Sequence, residues 1–465
     1  MKKTLFIVNL HSLVSRNILR SDVFKLLKEQ ANIHIVMFVD EFKKDFFESE
    51  FHNDRLTIIG ISSSKLTSSF RFIFAKYINY AMINTYTLRL RKLENLQKHK
   101  SIFQKISYLI NRFIVLFFSP LKFLHTPLRW INFTLFQTPE LFEYFKTYKP
   151  NLVFVGDILS ELDPQFIKAA KKYKVPTIGM VRSWDNTTTK GLLTVLPDHF
   201  IVNNEVIKEE AIKIHGVKPS TIFVGGIPQF DTYFKKEVST RDEFLTQMGI
   251  PLDKRIILFA PAGQILSDTE WQICEMFKAA FKDGRLPKSF HILVRSHPLD
   301  HAILDKFTPD ENFTIDNPGV MKWERLKATE FSQNDVLHLS NSLFHSDIVI
   351  HYSSTIGIDS LVFDKPQIMI AFDGWEERAY IKSVRRYHDE DHMQKYLGIA
   401  PSTVVNNEKE LFNTINTYIS SPETKQSERQ KALEAQVCKL DGNSGQRIGQ
   451  FIIDALSRSS NNVLS

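Results

Sequence analysis

Short apolar runs alternate with segments of helical spacing along most of the 465-residue chain. "TLFIVNL" is apolar and rich in β-formers. "SDVFKLLKEQ" follows with apolar positions at helical spacing and Ser21 placed to cap it. "NIHIVMFVD" and "RLTIIG" predict two further strands. The alternation returns after Thr138 as helix "PELFEYFKTY", strand "NLVFVGD", helix "PQFIKAAKKYK" and strand "PTIGMV". Strand "DHFIVNN", helix "EVIKEEAIKIHG" and strand "STIFVGG" continue it. A second series opens at "RIILFAPAG" and runs through a helix near 271–281, "FHILVRSHP", "NFTIDNPG", "DIVIHYSS" and "PQIMIAFD". It closes with helices near 409–419, 428–437 and 444–456. Alternation of this kind predicts parallel sheets joined by helical crossovers.

The pattern divides the chain into two α/β domains, each long enough for a doubly wound sheet. Residues 1–230 form the first and residues 255–442 the second. Residues 231–254 are polar, charged and bounded by prolines, which predicts a linker. Residues 443–465 form a closing helix and tail. The start, "MKKTLFIVNLHS", has an apolar run only at residues 5–8 and no small-residue cleavage site. It predicts a first strand rather than a signal peptide.

Between residues 61 and 135 the alternation stops. This segment has almost no glycine or proline before Pro120, so a helical insertion is expected. It holds twelve Lys and Arg against the single acid Glu94, so its charge of +11 exceeds the +7 of the whole chain. The remainder is mildly acidic, and the positive charge is a local patch. Ile106, Leu109, Ile110, Phe113 and Phe117 fall on one helical face. No stretch reaches the ~18 uncharged apolar residues of a membrane span. Two readings stand: an interfacial helix pair on an anionic membrane surface, or an insertion packed on its own domain. No RNA- or DNA-binding module accompanies the basic segment, so nucleic acid is not an expected partner. Cys274 and Cys438 form no disulfide framework, which fits a reducing cytoplasm.

In doubly wound sheets ligands meet the carboxyl ends of strands, so polar residues directly after apolar runs are the candidates. They include His11, Asp157, "RSWDN", Gly225–Gly226, "PAG", "RSHP" and "HYSSTIGIDS". In the last, Ser353, Ser354 and Thr355 stand at a helix start, where free N–H groups and the helix dipole favour phosphate. Asp359, four residues after Thr355, shares its face and can accept from a ribose. The plain alternative is Ser354 or Thr355 as an N-cap with Asp359 solvated. Arg295 can neutralise a diphosphate, and His297 can donate to phosphate or exchange protons. Pro298 ends that strand. Gly263 permits close backbone approach. In "RSWDNTTTKG", Asp185 is either a general base or the centre of an Asx-turn. His11 is a second base candidate. "YHDEDHM" has metal-like spacing at His388 and His392, but follows a basic run rather than a strand. It reads as a solvated helix or loop, and no metal is expected.

"VRSHP", "SDIVIHYSSTIGIDSLVFDKPQI" and "DGNSGQRI" resemble the carboxyl-terminal domain of the CDP-glycerol glycerophosphotransferases. They also resemble related transferases that build bacterial surface polysaccharides, and "VGGIPQFD" resembles that family's G-x-P-x-x-D element. The likeness extends over residues 225–445, and the S-S-x-x-x-x-D segment is its most specific part. It implies a GT-B fold of two Rossmann-like domains with the active site in the cleft. It also implies that Arg295, His297, Ser353, Ser354, Thr355 and Asp359 hold the donor nucleotide, with Arg447 near the cleft. The family's usual signatures near the acceptor are not evident in "RSWDNTTTKG".

The first expectation is a metal-independent glycosyltransferase of the inner membrane face, peripheral and cytoplasmic, without a cofactor. It moves a sugar from a nucleotide-sugar donor to a lipid-linked or polymeric glycan in surface polysaccharide or capsule synthesis. The alternatives are CDP-glycerol-dependent glycerophosphate transfer and a non-catalytic nucleotide-binding scaffold at the membrane.

Overall fold

The computed structural model describes residues 2–51, 53–62, 77–98, 101–235, 237–263, 266–297, 306–319, 321–323 and 328–458. Residues 63–76 and 99–100 of the basic segment lie outside the described residues, as does Pro298. The chain divides into two compact units, Met1–Asp231 with Asn443–Ser465, and Thr232–Gly442.

The first unit holds seven parallel strands: β1 (Lys3–Val8), β2 (Ile33–Asp40), β3 (Leu56–Ile61), β4 (Leu152–Val155), β5 (Thr177–Met180), β6 (His199–Val202) and β7 (Ile222–Val224). Their order is β3-β2-β1-β4-β5-β6-β7, so the direction of winding reverses between β1 and β4. Both faces are covered, as an all-parallel sheet requires. Phe6, Val8, Phe38, Val153 and Phe200 build the core on one face. Leu5, Ile7, Met37, Phe154 and Ile201 build it on the other. Continuous apolar runs are the sequence signature of strands buried on two sides, which is why they stood out.

The helices Tyr86–Lys98, Ile102–Phe118 and His125–Leu135 enter between β3 and β4. The insertion is docked at one end of itself. Met82, Ile83 and Leu88 share a buried cluster with Leu192, against which Leu124 and Leu128 pack. The face predicted on Ile102–Phe118 is formed but uncovered. Phe113 is 69% exposed and Leu109 64% exposed, with Ile106, Ile110 and Phe117 also exposed. Among the described residues no single helix is long and apolar enough to cross a membrane. Ile102–Phe118 and Lys122–Leu135 meet that test only as a pair bent by 95°.

The second unit contains β8 (Arg255–Ala260), β9 (Phe290–Arg295), β10 (Phe313–Asp316), β13 (Ile348–His351), β14 (Gln367–Ile370) and β15 (Thr403–Val405). Their order is β10-β9-β8-β13-β14-β15, with the reversal between β8 and β13. A short antiparallel pair, β11 (Met321–Trp323) and β12 (Ala328–Glu330), stands apart. The architecture is the expected α/β pair of Rossmann-like domains.

Two segments differ from expectation. Residues after Asp231 belong to the second unit and are folded, not a free linker. Helix Arg241–Met248 starts in a reciprocal capping box between Thr240 and Glu243. Arg241 donates to the His345 carbonyl at 2.7 Å, and the Phe244 ring stacks on His345. The closing helix Ser444–Arg458 returns to the first unit. Its amides at Ser444 and Gly445 donate to the Asp231 carboxylate at 2.9 and 2.7 Å. Arg447 donates to the Gly225 carbonyl at 2.9 Å. A Cβ on Gly445 would meet the Asp22 backbone nitrogen at 3.1 Å, so glycine is required by close approach. The G-x-P-x-x-D element and "DGNSGQRI" are therefore two halves of one clasp.

Candidate functional site

Each sheet places polar residues at the reversal of its strand order, where a crevice opens beyond the strand ends. The two places differ in charge and are described in turn.

In the first unit β1, β4 and β5 are neighbours, and their ends supply His11, Asp157 and the Arg182–Lys190 loop. Asp157 is buried. Its carboxylate accepts from Arg182 Nη1 at 2.7 Å and Asn186 Nδ2 at 3.3 Å. Burial raises its pKa above the ordinary value, against the pull of Arg182 and Lys190. Asp163 lies beside it, accepting from the Asp157 amide, and burial followed by the Asp157 charge pushes its carboxyl well up. The Nε atoms of Arg16 and Arg182 are buried without a hydrogen-bond partner, as are the side-chain oxygens of Asn17 and Asn186. Buried polar atoms are nearly always paired in folded proteins, so these orphans make this place a candidate for a ligand or ordered water.

Asp185 precedes the short helix Asn186–Thr189, and its carboxylate accepts from Thr189 Oγ1 at 3.1 Å. The backbone around it is a helical turn. Its carbonyl takes the Thr188 and Thr189 amides at 3.1 and 3.0 Å. His215 supports this turn from within, with Nε2 at 2.9 Å from the Thr187 carbonyl.

His11 departs from expectation. Its Nδ1 accepts the Leu13 amide at 3.1 Å as a helix cap. The neutral ring therefore carries its proton on Nε2 and is a donor, not a base, on that side. Although His11 is exposed by surface area, desolvation by its neighbours and then the cations Arg182, Lys43, Lys190 and Arg16 lower its pKa. The base role expected of His11 does not fit this geometry.

In the second unit β9, β8 and β13 are neighbours. Their ends supply Ser296, the Ala262–Gly263 turn and the Tyr352–Thr355 stretch. The hydroxyl oxygens of Ser296, Tyr352 and Ser353 are buried and unpartnered. Two strand ends, those of β9 and β13 on either side of β8, thus present buried hydroxyls without a hydrogen-bond partner among the described residues. Ser354 and Thr355 follow at the start of the short helix Ile356–Leu361, where no side chain caps. His297, next to Ser296 in the chain, is half-buried.

Three expected ligands have other engagements. Arg295 is 8% exposed and pairs with Asp316, whose other oxygen lies 3.0 Å from His338. A buried carboxylate already neutralises it, so it is not a spare charge for a diphosphate. Gly263 takes φ +85°, and its amide and that of Ala262 donate to the buried Glu270 carboxylate. Its glycine is demanded by the turn. Asp359 is buried, not solvated, and accepts from Tyr233 at 3.0 Å. His388 and His392 are also buried. The first lies 3.2 Å from the Ile370 carbonyl and the second 3.4 Å from Glu390. Among the described residues no group of three or more His, Cys, Asp or Glu is placed to hold a metal ion.

Sequence reasoning passed over Arg16, Lys43, Ser296 and Tyr352. Ser296 and Tyr352 sit beside motif residues, so that neighbourhood was a usable signal. Arg16 and Lys43 carried none, since folding alone brings them to His11.

A family model matches residues 181–454, more than half of the chain, and describes CDP-Glycerol:Poly(glycerophosphate) glycerophosphotransferases. The chain belongs to this family. It is accordingly a transferase of the glycosyl or glycerophosphate type. The family match starts upstream of the motifs, at the "RSWDN" loop, so Asp185 and Lys190 lie inside it. Solved structures share the fold. MnaA of S. aureus with UDP covers 98% of this chain and 97% of its own at 12% identity, TM-score 0.58. The UDP-GlcNAc 2-epimerase of Neisseria meningitidis bound to UDP-GlcNAc covers 98% and 100% at 13% identity, TM-score 0.55. A variant of the wall teichoic acid polymerase TagF covers 99% and 90% at 13% identity, TM-score 0.53. No curated protein matches the chain significantly.

Proposed function

We propose that the chain transfers a glycerol phosphate or similar polyol phosphate from a CDP-activated donor to a surface polymer. The observation that carries this reading is the match of residues 181–454 to the glycerophosphotransferase family, across the polar strand ends of the second unit. The donor's nucleotide lies at Ser296, Ser353, Ser354 and Thr355, whose hydroxyls suit ribose and phosphate oxygens, those of Ser296 and Ser353 having no hydrogen-bond partner among the described residues. The acceptor hydroxyl gives its proton to Asp185 and attacks the donor phosphorus that bears glycerol. The bond from that phosphorus to CMP breaks, and CMP leaves with the electron pair. Lys190 and Arg16 offset the anionic charge of the transferred phosphate.

We further propose that the exposed face of Ile102–Phe118 rests on an anionic membrane surface, which suits a polymer built at a lipid. Its apolar side chains and the flanking Lys105, Arg112 and Lys122 support this reading.

Thermal unfolding with CDP-glycerol, and separately with UDP-, GDP- and CMP-linked sugars, tests the donor. Ligand at a hundred times its Kd adds about 2.7 kcal/mol, a shift of several degrees. A shift with CDP-glycerol alone is expected. A shift only with a nucleotide sugar would turn the reading to glycosyl transfer, and no shift with any would remove it.

A further inference from the structure

The turn that carries Asp185 is braced by the helical insertion. Helix Asn186–Thr189 is one turn long, and the chain leaves it extended at Lys190. Its last carbonyls have no later turn to accept from, so other groups must satisfy them. Thr85 Oγ1 donates to the Thr188 carbonyl at 2.7 Å, and Arg91 Nη1 to the Thr189 carbonyl at 3.4 Å. The Thr187 carbonyl falls to His215, whose other ring nitrogen accepts the Leu193 amide. Arg129 holds both ends of that link, with Nε 2.9 Å from the Leu193 carbonyl and Nη2 on the His215 carbonyl. The Leu192 amide donates to the Asn79 carbonyl at 3.0 Å. Gly191 allows this approach, since a Cβ there would lie 3.1 Å from the Tyr80 ring. Asn79, Thr85, Arg91 and Arg129 all belong to the insertion. Thr85 is buried, and its hydroxyl also accepts the Leu88 amide at 3.3 Å, which fixes it at the start of helix Tyr86–Lys98. The braced turn in turn fixes Asp185. The Asp185 carbonyl accepts the Thr188 and Thr189 amides, and its carboxylate accepts from Thr189 Oγ1. A shift of Thr188 or Thr189 therefore moves the carboxylate.

We propose that Thr85 and Arg129 are positioning residues of the transfer reaction, acting through the Asn186–Thr189 turn on the Asp185 carboxylate. The insertion is then part of the machinery that sets the base, and not only an anchor. A general base works within hydrogen-bond reach of the proton it takes, about 2.6–3.2 Å. A misplacement of about 1 Å, caused far from the chemistry, can cost on the order of a hundredfold in rate. Side chains that touch neither substrate nor reacting atoms thus set kcat. The inference rests on the transferase reading, because only there does Asp185 act as a base.

The test is CMP release from CDP-glycerol by the full chain, with a poly(glycerophosphate) oligomer as acceptor. Thr85→Val keeps the side chain's shape and removes its hydroxyl. It should lower kcat roughly tenfold or more and leave both KM values within about twofold. Arg129→Met should do the same, and Thr85→Ser should restore kcat. The CDP-glycerol thermal shift should persist in all three, which reports that they fold. In the Asp185→Asn background, Thr85→Val should change the residual rate by less than about twofold, because the group it positions is gone. A merely structural brace would lower the rate equally in both backgrounds, and that result overturns the proposal. So does wild-type kcat in either Thr85→Val or Arg129→Met. Both outcomes leave the transferase reading intact, since the wild type turns over. A wild type that releases no CMP overturns that reading, and the positioning role with it.

Discussion

Both ring nitrogens of His215 are committed. Nδ1 accepts the Leu193 amide at 3.3 Å, and Nε2 lies 2.9 Å from the Thr187 carbonyl. Burial holds its pKa at about 4, below the ordinary 6.5. Between those values the unfolded chain binds the proton and the folded chain does not, so acidification favours unfolding. The stability is fully present above about pH 6.5 and is lost as pH falls toward 4. His215→Gln should flatten the fall in urea-unfolding free energy between pH 7 and pH 5 by on the order of 2 kcal/mol. An unchanged slope would refute this. Asp185→Asn should lower turnover by about 10²–10⁴-fold while sparing nucleotide binding, the range for losing a general base. Full activity in the variant clears Asp185 of that role. Single residues were the hardest scale to read from sequence. Ser353 and Asp359 were visible in a motif, but Asp359 finds its partner in Tyr233, 126 positions away, and Arg295 finds Asp316. Such pairings decide whether a charge is free, and only folding sets them.

At the scale of elements the sequence was most legible. Strands buried on two faces read as unbroken apolar runs, and Ser21 caps its helix as expected, with Oγ 3.3 Å from the Val23 amide. The linker expected over 231–254 shows the opposite case. Prolines and charge dominated that reading, although the T-x-x-E of Thr240 and Glu243 already marked a helix start. The clasp at Asp231 is likewise an element-scale device, joining motif halves more than two hundred residues apart. Asp231→Ala removes the acceptor for two amides at a helix start. Bonds to a charged group contribute roughly 1.5–3 kcal/mol each, shared here by one carboxylate. A loss of about 2–3 kcal/mol is expected on chemical unfolding, and a change below 0.5 kcal/mol would show the clasp to be idle.

At the scale of the molecule, charge and apolar surface are segregated in one insertion. Binding to anionic vesicles should therefore need both. Replacing Phe113 and Phe117 together with Asp should abolish flotation with vesicles containing phosphatidylserine. Raising salt to 0.5 M should weaken it in the wild type, because each basic residue near such a surface contributes about 1 kcal/mol at physiological ionic strength. Flotation indifferent to both changes would leave the exposed face without a membrane role. The two-domain architecture was legible at this scale because each domain repeats the same alternation. The uncovered helix face was legible only as periodicity, since a pattern cannot say whether anything packs on it.

The return of Ser444–Arg458 sets an order of events during synthesis. Ile448, Ile452 and Leu456 are buried in the same core as Leu5, Val23 and Phe154. The first unit to leave the ribosome thus waits for the last helix. Roughly 200 residues of the second unit intervene, and at ~5–20 residues per second their synthesis takes tens of seconds. For that interval one flank of the first sheet is open, and the unit made second is the first able to finish. A chain cut short before residue 443 loses its amino-terminal half as a stable body, although the missing piece lies at the opposite end.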